Sequence, residues 1–279
     1  MQIGLGLSIT AQLRFGSSLS SYAVNNFDPS LVFDFKQNYY RTGGTDTTLN
    51  PAVTHARAGQ ATMTDSDGKI KWAPHNLLTY SEDFSNASWA AVRTASLALD
   101  SVGPDGESNS AVKLLDNSAG GTGTVYVRDT VTVSTSTTYT ASVYAKADQL
   151  SQIVLFANAF TTPANNGFVF DLSNGTYSVY SGTPAITAEM QSVDNGWYRC
   201  SITFTTDTTD TSGQIQIYLY ESGSVSVPLD GTSSVLLYGA HLFRSNLGGM
   251  ANNPAQSTGL ETYVPTSGSA VYLPRVGHH

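Results

Sequence analysis

Apolar residues alternate with serine and threonine through much of the chain after residue 120, and this pattern constrains the fold more than any other feature. Period-two alternation places one class of side chain on each face of a β-strand. The apolar members are mostly β-branched or aromatic, as strands prefer. The pattern covers residues 124–128, 130–134, 139–146, 152–157, 167–172, 197–204, 214–220 and 234–241.

Turn-forming sequences separate these runs at short intervals. Ser173-Asn174-Gly175-Thr176 is typical of a hairpin turn, and it predicts that Phe168–Asp171 pairs with Tyr177–Tyr180. Further turn sequences occur at 104–106, 194–196 and 230–231. No helical periodicity connects the runs. The chain is therefore predicted to be all-β, with an antiparallel β-sandwich as its main architecture.

Charge is scarce, and this excludes several classes of protein. Asp, Glu, Lys and Arg make up 12% of the 279 residues, with a net charge of −8, whereas an average soluble domain carries about 25%. The few basic residues are scattered, so we expect no nucleic-acid binding. No apolar run approaches the ~18 residues of a membrane span. The single cysteine allows neither an intramolecular disulfide nor a cysteine-based zinc site.

Serine and threonine on the polar strand faces leave two interpretations open. Soluble surfaces and sheet edges normally carry charge. A surface without charge is either covered by neighbouring subunits or adapted to an uncharged partner such as a glycan.

Composition divides the chain into four predicted parts. Residues 1–26 lack the features of a secretory signal and are either a flexible tail or, as we predict, an extended arm that docks on another subunit. Residues 27–75 form a small β segment that packs on the larger unit or on a partner. Residues 76–272 form the sandwich, and residues 273–279 a C-terminal tail. In the small segment, the sequence around Asp67-Gly68 predicts a hairpin whose second strand ends at Trp72.

A series of short motifs, met in order along the chain, resembles a β-sandwich module of tailed-bacteriophage structural proteins. The resemblance extends over about residues 27–272. It rests on Asp28–Phe35, Asp65–Gly68, Asn76–Phe84, Trp89, Pro104–Gly106, Ala111–Leu114, Tyr139–Lys146, Asn195–Cys200, Leu237–Leu242 and Glu261–Ala270. The connection at 243–260 is longer than in that family and is a candidate for a contact specific to one particle.

The resemblance implies a jelly-roll domain similar to carbohydrate-binding modules, in a non-enzymatic virion protein such as a tail fibre, head fibre or decoration protein. It implies attachment to other virion proteins through the N-terminal arm and a homo-oligomer, with a trimer favoured. The protein would be made in the host cytoplasm and reside in the virion. The alternative is a module that binds carbohydrate on the host surface, and a polysaccharide hydrolase is a third, weaker reading.

The sequence contains few patterns that are typical of catalytic or metal-binding sites, so we predict no catalytic residues, no cofactor and no metal. Glycosidases need two carboxylates at a set separation. Glu82 and Asp83 are adjacent and would point to opposite faces of a strand. Asp105 and Glu107 lie in a predicted turn. Asp65-Ser66-Asp67-Gly68 resembles the start of a calcium-binding loop, but the glycine comes too early and no glutamate completes it, which favours an ordinary turn.

Aromatic and amide residues in loops are the candidates for ligand binding. We select Phe160, Asn165 and Asn166 for this role, because aromatic rings stack on sugars and amides bond their hydroxyl groups. Trp197 follows a turn at the start of a strand, and core packing is the favoured interpretation. Cys200 lies in the middle of a predicted strand, and we predict that it is a buried core residue. The residues assigned to the core and the family motif are Trp89, Trp197, Tyr198 and Arg199.

Overall fold

The computed structural model describes residue 23 and residues 28–34, 39–47, 59–64, 68–95, 97–181, 186–248 and 263–273. The predicted arm at 1–26, residue 23 apart, lies outside these ranges, as does most of the long connection at 243–260. The predicted tail at 273–279 also lies outside, except for its first residue. Within the described ranges, no helix has the length and apolar character needed to cross a membrane.

Two six-stranded antiparallel sheets contain most of the strand residues that the structure describes. Strands are numbered along the chain. In the first, sheet A, the paired order is β15 (Thr176–Ser181), β14 (Asn166–Asp171), β13 (Gln152–Asn158), β18 (Ser212–Tyr220), β11 (Tyr126–Thr132) and β7 (Ala90–Val92). In the second, sheet B, it is β16 (Ile186–Ser192), β17 (Trp197–Thr205), β12 (Thr138–Ala147), β20 (Ser234–Arg244), β9 (Ala111–Leu115) and β8 (Leu99–Ser101).

The apolar side chains of both sheets meet in one core. Ile215, Ile217 and Leu219 of β18 contribute from sheet A, and Val143 and Ile202 from sheet B. All five are at most 2% exposed. Burial of alternate residues on each strand is what period-two alternation predicts. The predicted all-β, antiparallel jelly-roll β-sandwich is confirmed.

Shorter strands complete the fold. Three form a small sheet, namely β1 (Val32–Asp34), β2 (Tyr39–Thr42) and β3 (Thr45–Thr47). Three antiparallel pairs join β4 (Thr62–Thr64) to β5 (Ile70–Trp72), β6 (His75–Asn76) to β21 (Val271–Tyr272) and β10 (Thr122–Thr124) to β19 (Ser226–Pro228). A 3-10 turn covers Asp194–Gly196.

Both predicted hairpins are present. β14 pairs with β15, and Gly175 adopts a φ of 73° in the turn between them, a conformation that costs glycine little. β4 pairs with β5, which ends at Trp72 as predicted. The runs at 124–128 and 130–134, read from the sequence as separate, share one strand, β11, over residues 126–132, because no turn separates them.

The hairpin of β4 and β5 contacts the end of β20. Nε1 of Trp72 donates to Oδ1 of Asn246 at 2.8 Å. The guanidinium of Arg244 lies 4.5 Å from the Trp72 ring centroid, within range of a cation–π contact. Nη1 of Arg244 also donates to Oε1 of Gln60 at 3.1 Å. These contacts join the end of β20 to residues on both sides of the hairpin.

Asn76 links three segments that are distant in sequence. Its Nδ2 donates to the carbonyl oxygens of Ala240 at 3.0 Å and Val264 at 2.8 Å. Its Oδ1 accepts from the backbone N–H groups of Leu78 and Leu242, both at 3.1 Å. An amide offers two donor hydrogens and two acceptor sites. Asn76 is fully buried, and all four are occupied.

Ser81 and Tyr263 continue this link. The Ser81 hydroxyl lies 2.7 Å from the Tyr263 hydroxyl and accepts from the backbone N–H of Thr266 at 2.9 Å. Tyr263 is fully buried and packs in a second cluster with Tyr144, Trp197 and Tyr238 of sheet B and with Ala111. Trp197 and Tyr144 lie outside the cluster between the sheets. Residues 263–267 therefore cover part of the outer face of sheet B.

The edge strand β15 carries little protection against further pairing. Tyr177 is 47% exposed and Val179 is 60% exposed. The strand contains neither proline nor a charged residue, and these are the usual means of blocking an edge.

Two buried histidines lie beside Asn76. The backbone N–H of Arg244 donates to Nε2 of His75 at 2.9 Å, so the ring hydrogen of His75 lies on Nδ1, which donates to the Ala73 carbonyl at 2.8 Å. Nε2 of His241 donates to the His75 carbonyl at 2.8 Å. Burial lowers the pKa of His241 well below its ordinary value, so this ring is neutral at physiological pH.

We predict that Asn76→Ala lowers the free energy of unfolding by at least about 2 kcal/mol, because it leaves two buried carbonyls and two buried N–H groups without partners. Urea denaturation at pH 7 measures the change. Asn117→Ala is the matched control, since Asn117 is exposed. Equal stability of the two variants would contradict the role given to Asn76.

We predict that Asp129→Asn stabilises the protein at pH 7. Burial raises the pKa of Asp129 from 3.8 to about 6, because only two backbone N–H groups, those of Thr79 and Thr130, offset the loss of solvation. The wild-type protein buries this charge at pH 7, and the variant does not. With allowance for solvent screening, we expect a gain of about 1 kcal/mol.

The gain has a defined pH dependence. Between pH 3.8 and about 6 the Asp129 carboxyl is protonated in the folded protein but ionised in the unfolded chain. The destabilisation by Asp129 therefore decreases as the pH falls from about 6 towards 3.8. The difference between variant and wild type should shrink over that interval. His241 titrates in both proteins and cancels in the difference. A stability difference that does not change between pH 7 and pH 4 would refute the assignment.

Candidate functional site

The outer face of sheet A carries a patch of aromatic rings. The inward positions of β18 are Ile215, Ile217 and Leu219, so the alternate residues point outwards. The same alternation exposes outward positions on β11 and β13, and Tyr180 reaches this side through the irregular pairing of β14 with β15. We call the following half-buried side chains the aromatic face: Tyr126, Phe156, Tyr180, Tyr218 and Tyr220.

Ring contacts fix the geometry of the aromatic face. Tyr126 and Tyr218 occupy paired positions on β11 and β18, and their rings stack with centroids 4.4 Å apart and planes 26° apart. Phe156 makes edge contacts with Tyr218 at 6.2 Å and with Tyr180 at 5.9 Å. Tyr180 in turn contacts Tyr220 at 5.8 Å. Each ring is therefore held by at least one other ring.

Gly167 makes room for the Phe156 ring. A Cβ atom on Gly167 would overlap Cδ2 of Phe156, which shows that the ring lies across this glycine on β14. The rings of Tyr218 and Tyr180 are inclined to Phe156 by 69° and 67°. Val154 is outward-facing yet fully buried, as expected beneath neighbouring rings. The rings thus form a packed, preorganised apolar surface on the sheet.

A row of polar side chains adjoins the rings, and we call Arg128, Gln214 and Gln216 the polar row. The Tyr218 hydroxyl donates to Oε1 of Gln216 at 2.6 Å. Nε2 of Gln216 donates to Oε1 of Gln214 at 2.7 Å, and Nη1 of Arg128 donates to the same oxygen at 3.3 Å. Burial raises the pKa of Tyr218 to about 12, so its hydroxyl keeps the hydrogen that it donates.

The loop residues selected from the sequence do not form a binding surface together. Phe160 is 5% exposed, packs at 5.1 Å from the Phe204 ring and fills the space above Gly213. It is a core residue rather than a ligand-binding one, because the glycine on β18 admits its ring into the sandwich. Asn166 is 4% exposed, and its Nδ2 donates to the Ala164 carbonyl at 2.9 Å. Asn165 is exposed, and its ligand-binding role stays a prediction.

The residues assigned to the core and the family motif occupy several environments. Trp89 is 3% exposed and packs on Phe84 at 4.7 Å. Trp197 is 1% exposed, in the second cluster. Tyr198 and Arg199 are half-buried, and Nε of Arg199 donates to the Ser142 hydroxyl at 3.3 Å. Cys200 is fully buried in the main core, as its mid-strand position predicts.

The carboxylates considered from the sequence lie in bends and turns. Glu82 and Asp83 are not on a strand, so strand alternation does not turn their side chains to opposite faces. Oε1 of Glu82 accepts from the Tyr238 hydroxyl at 3.0 Å, and burial raises the pKa of Glu82. Asp105 accepts from the Ser110 hydroxyl at 2.7 Å. Among the described residues, no group of three or more His, Cys, Asp or Glu is placed to hold a metal ion.

Sequence reasoning missed the aromatic face, although a signal was present. Gln214-Ile215-Gln216-Ile217-Tyr218-Leu219-Tyr220 alternates as other strands do, but its non-aliphatic positions carry glutamine and tyrosine in place of serine and threonine. The pattern identifies two faces on one strand. It does not show which residues of other strands lie beside them.

Comparison with solved structures returns matches of low similarity. The module TmCBM61, solved with β-1,4-galactotriose, is 10% identical with a TM-score of 0.37, over 61% of this chain and 99% of that one. The tailspike protein 4 enzymatic domain of bacteriophage CBA120 is 9% identical with a TM-score of 0.35, over 61% of this chain and 21% of that one. A study of promiscuous carbohydrate-binding modules gives 12% identity and a TM-score of 0.34, over 72% and 81%.

These values are too low to bear on function. No protein-family model matches the chain, and no curated protein matches it.

We predict that Phe160→Ala lowers the free energy of unfolding by about 3 kcal/mol, as expected for loss of a buried ring. Thermal or urea denaturation measures the change. Tyr177→Ala removes an exposed ring and is the control, with an expected change below about 1 kcal/mol. If the two variants lose similar stability, Phe160 is not the core residue described here.

Proposed function

We propose that the protein binds a polysaccharide on the aromatic face of sheet A. The observation that carries this proposal is the joining of five packed, half-exposed rings to the polar row on one face of the sheet. Rings present apolar faces to the C–H groups of a sugar, and a small number of placed polar groups fixes its orientation. Tyr218 belongs to both parts, since its ring stacks on Tyr126 and its hydroxyl bonds Gln216.

We propose binding without turnover. Glycoside hydrolysis uses two carboxylates that flank the scissile bond. In the strands of sheet A, Asp171 is the only outward-facing acidic residue. Its carboxylate accepts from Nε2 of Gln152 at 3.0 Å and from the Ser173 hydroxyl at 2.6 Å. This engagement within the hairpin supports a structural role for Asp171.

A second proposal concerns the setting in which binding takes place, a tailed-bacteriophage virion. Two motifs of the family resemblance, Asn76–Phe84 and Glu261–Ala270, come together in the fold through Asn76 and through the bond of Ser81 with Tyr263. Their joint role in the structure favours the resemblance over a chance match of short motifs. Docking of residues 1–26 on other virion proteins and a trimeric state belong to this proposal.

The setting is tested separately from binding. Sedimentation equilibrium at micromolar concentration should give an oligomer, with a trimer expected, and deletion of residues 1–26 should abolish incorporation into particles. A stable monomer that is absent from purified particles would refute the virion proposal. It would leave the proposal of glycan binding unaffected.

We predict that Tyr218→Ala reduces glycan affinity at least about tenfold, because it removes a stacking ring and the donor that orders Gln216. A glycan array identifies the bound oligosaccharide, and isothermal titration calorimetry measures its affinity for each variant. Tyr177→Ala is the matched control, as it removes an exposed tyrosine from the edge of the same sheet. Absence of saturable binding by the wild-type protein to any glycan would overturn the proposed function.

A further inference from the structure

Arg128 is the only arginine, lysine or histidine in the six strands of sheet A. It points to the same side as Tyr126 and Tyr218, and it pairs in register with Gln216 on β18. On its other side it pairs with Ala90 of β7, whose short side chain leaves the approach to the guanidinium open. Among the residues of these strands, Arg128 therefore places one positive charge at one end of the proposed glycan-binding face.

This charge is not neutralised by the sheet. Asp171 is separated from Arg128 by three strand spacings and by four residues along the strands, through the registers of β14, β13, β18 and β11. Those steps correspond to about 14 Å across the sheet and about 13 Å along it. An ion pair requires contact within ~4 Å. The protein acceptor described for Arg128 is an uncharged amide oxygen, Oε1 of Gln214, at 3.3 Å.

Hydrogen bonds within the polar row occupy its glutamine oxygens and leave several of its N–H groups without a protein acceptor among the described residues. Oε1 of Gln216 accepts from Tyr218, and Oε1 of Gln214 accepts from both Gln216 and Arg128. Arginine carries five N–H groups and a glutamine amide two. One of the five is used in this network, and both N–H groups of the half-exposed Gln214 are free of protein acceptors within the described residues. The Arg128 end of the face thus offers donors and one positive charge.

We propose that the glycan bound on the aromatic face carries a carboxylate, as in a uronic acid, and that Arg128 and Gln214 bind this group. This proposal rests on the proposed function of the face. A carboxylate is planar and accepts hydrogen bonds only, which matches the planar donors of guanidinium and amide. The sugar ring next to it would contact Tyr126 and Tyr218, which occupy the neighbouring outward positions on β11 and β18.

Two forms of one polysaccharide, which differ only in the carboxyl group, test this proposal. Carboxyl reduction of an acidic polysaccharide converts each uronic acid into the neutral hexose with its ring unchanged. We expect the wild-type protein to bind acidic oligosaccharides at least about tenfold more tightly than their carboxyl-reduced forms, which corresponds to the lower range for a charge-assisted hydrogen bond. The preference should weaken as salt is raised, because the contact is partly exposed.

Arg128→Gln tests the residue directly. The variant keeps a planar donor but loses the charge, so it should bind the acidic and reduced forms with equal affinity, and the ratio of these two affinities is the readout. Lys146→Gln is the control, since it removes one positive charge from sheet B and should keep the acidic preference. Circular dichroism and thermal unfolding establish that both variants are folded.

The outcomes separate this inference from the proposed function. If the wild-type protein binds both glycan forms equally, or if Arg128→Gln keeps the acidic preference, the carboxylate assignment is overturned and glycan binding stands. If the wild-type protein binds neither form and no other glycan, the proposed function itself fails. Loss of all binding in Arg128→Gln with an intact fold would also overturn the assignment, because it would make the charge essential for neutral ligands.

Discussion

The buried amide of Asn76 is the constraint on which the arrangement of the chain depends. It bonds backbone groups that lie 164 and 188 residues from it in sequence, with every donor and acceptor of the amide satisfied. A buried amide of this kind needs all four of its hydrogen bonds, since one lost partner leaves a buried polar atom unpaired. It fixes the start of the sandwich, strand β20 and the segment after residue 263 relative to each other.

The two outer faces of the sandwich differ as a result. Tyr263, positioned through Ser81 and the segment that Asn76 holds, covers Tyr144, Trp197 and Tyr238 on the outside of sheet B. The rings on the outside of sheet A pack mainly on one another and stay half-exposed. Aromatic residues are thus covered by Tyr263 on the outer face of sheet B, whereas those on the outer face of sheet A stay half-exposed. The difference comes from where the chain's later segment lies, rather than from the strands themselves.

Local patterns predicted the strands and hairpins well, because period and turn chemistry are properties of neighbouring residues. The hairpin at Asn174-Gly175 and the strand that ends at Trp72 are examples. Phe160 was misread because its environment depends on Gly213, which is distant in sequence and admits the ring. The aromatic face was missed for the same reason. Tyr126, Phe156 and Tyr218 lie on three strands, and only the sheet order brings their rings into contact.

The exposed edge of β15 has a consequence for how the molecule exists outside an assembly. Tyr177 and Val179 are accessible, and β15 is the last strand of sheet A among the described residues, on an edge that lacks charge and proline. An edge of this kind is a template for added strands. Self-association of the purified chain should therefore begin at β15, where an added strand would extend sheet A.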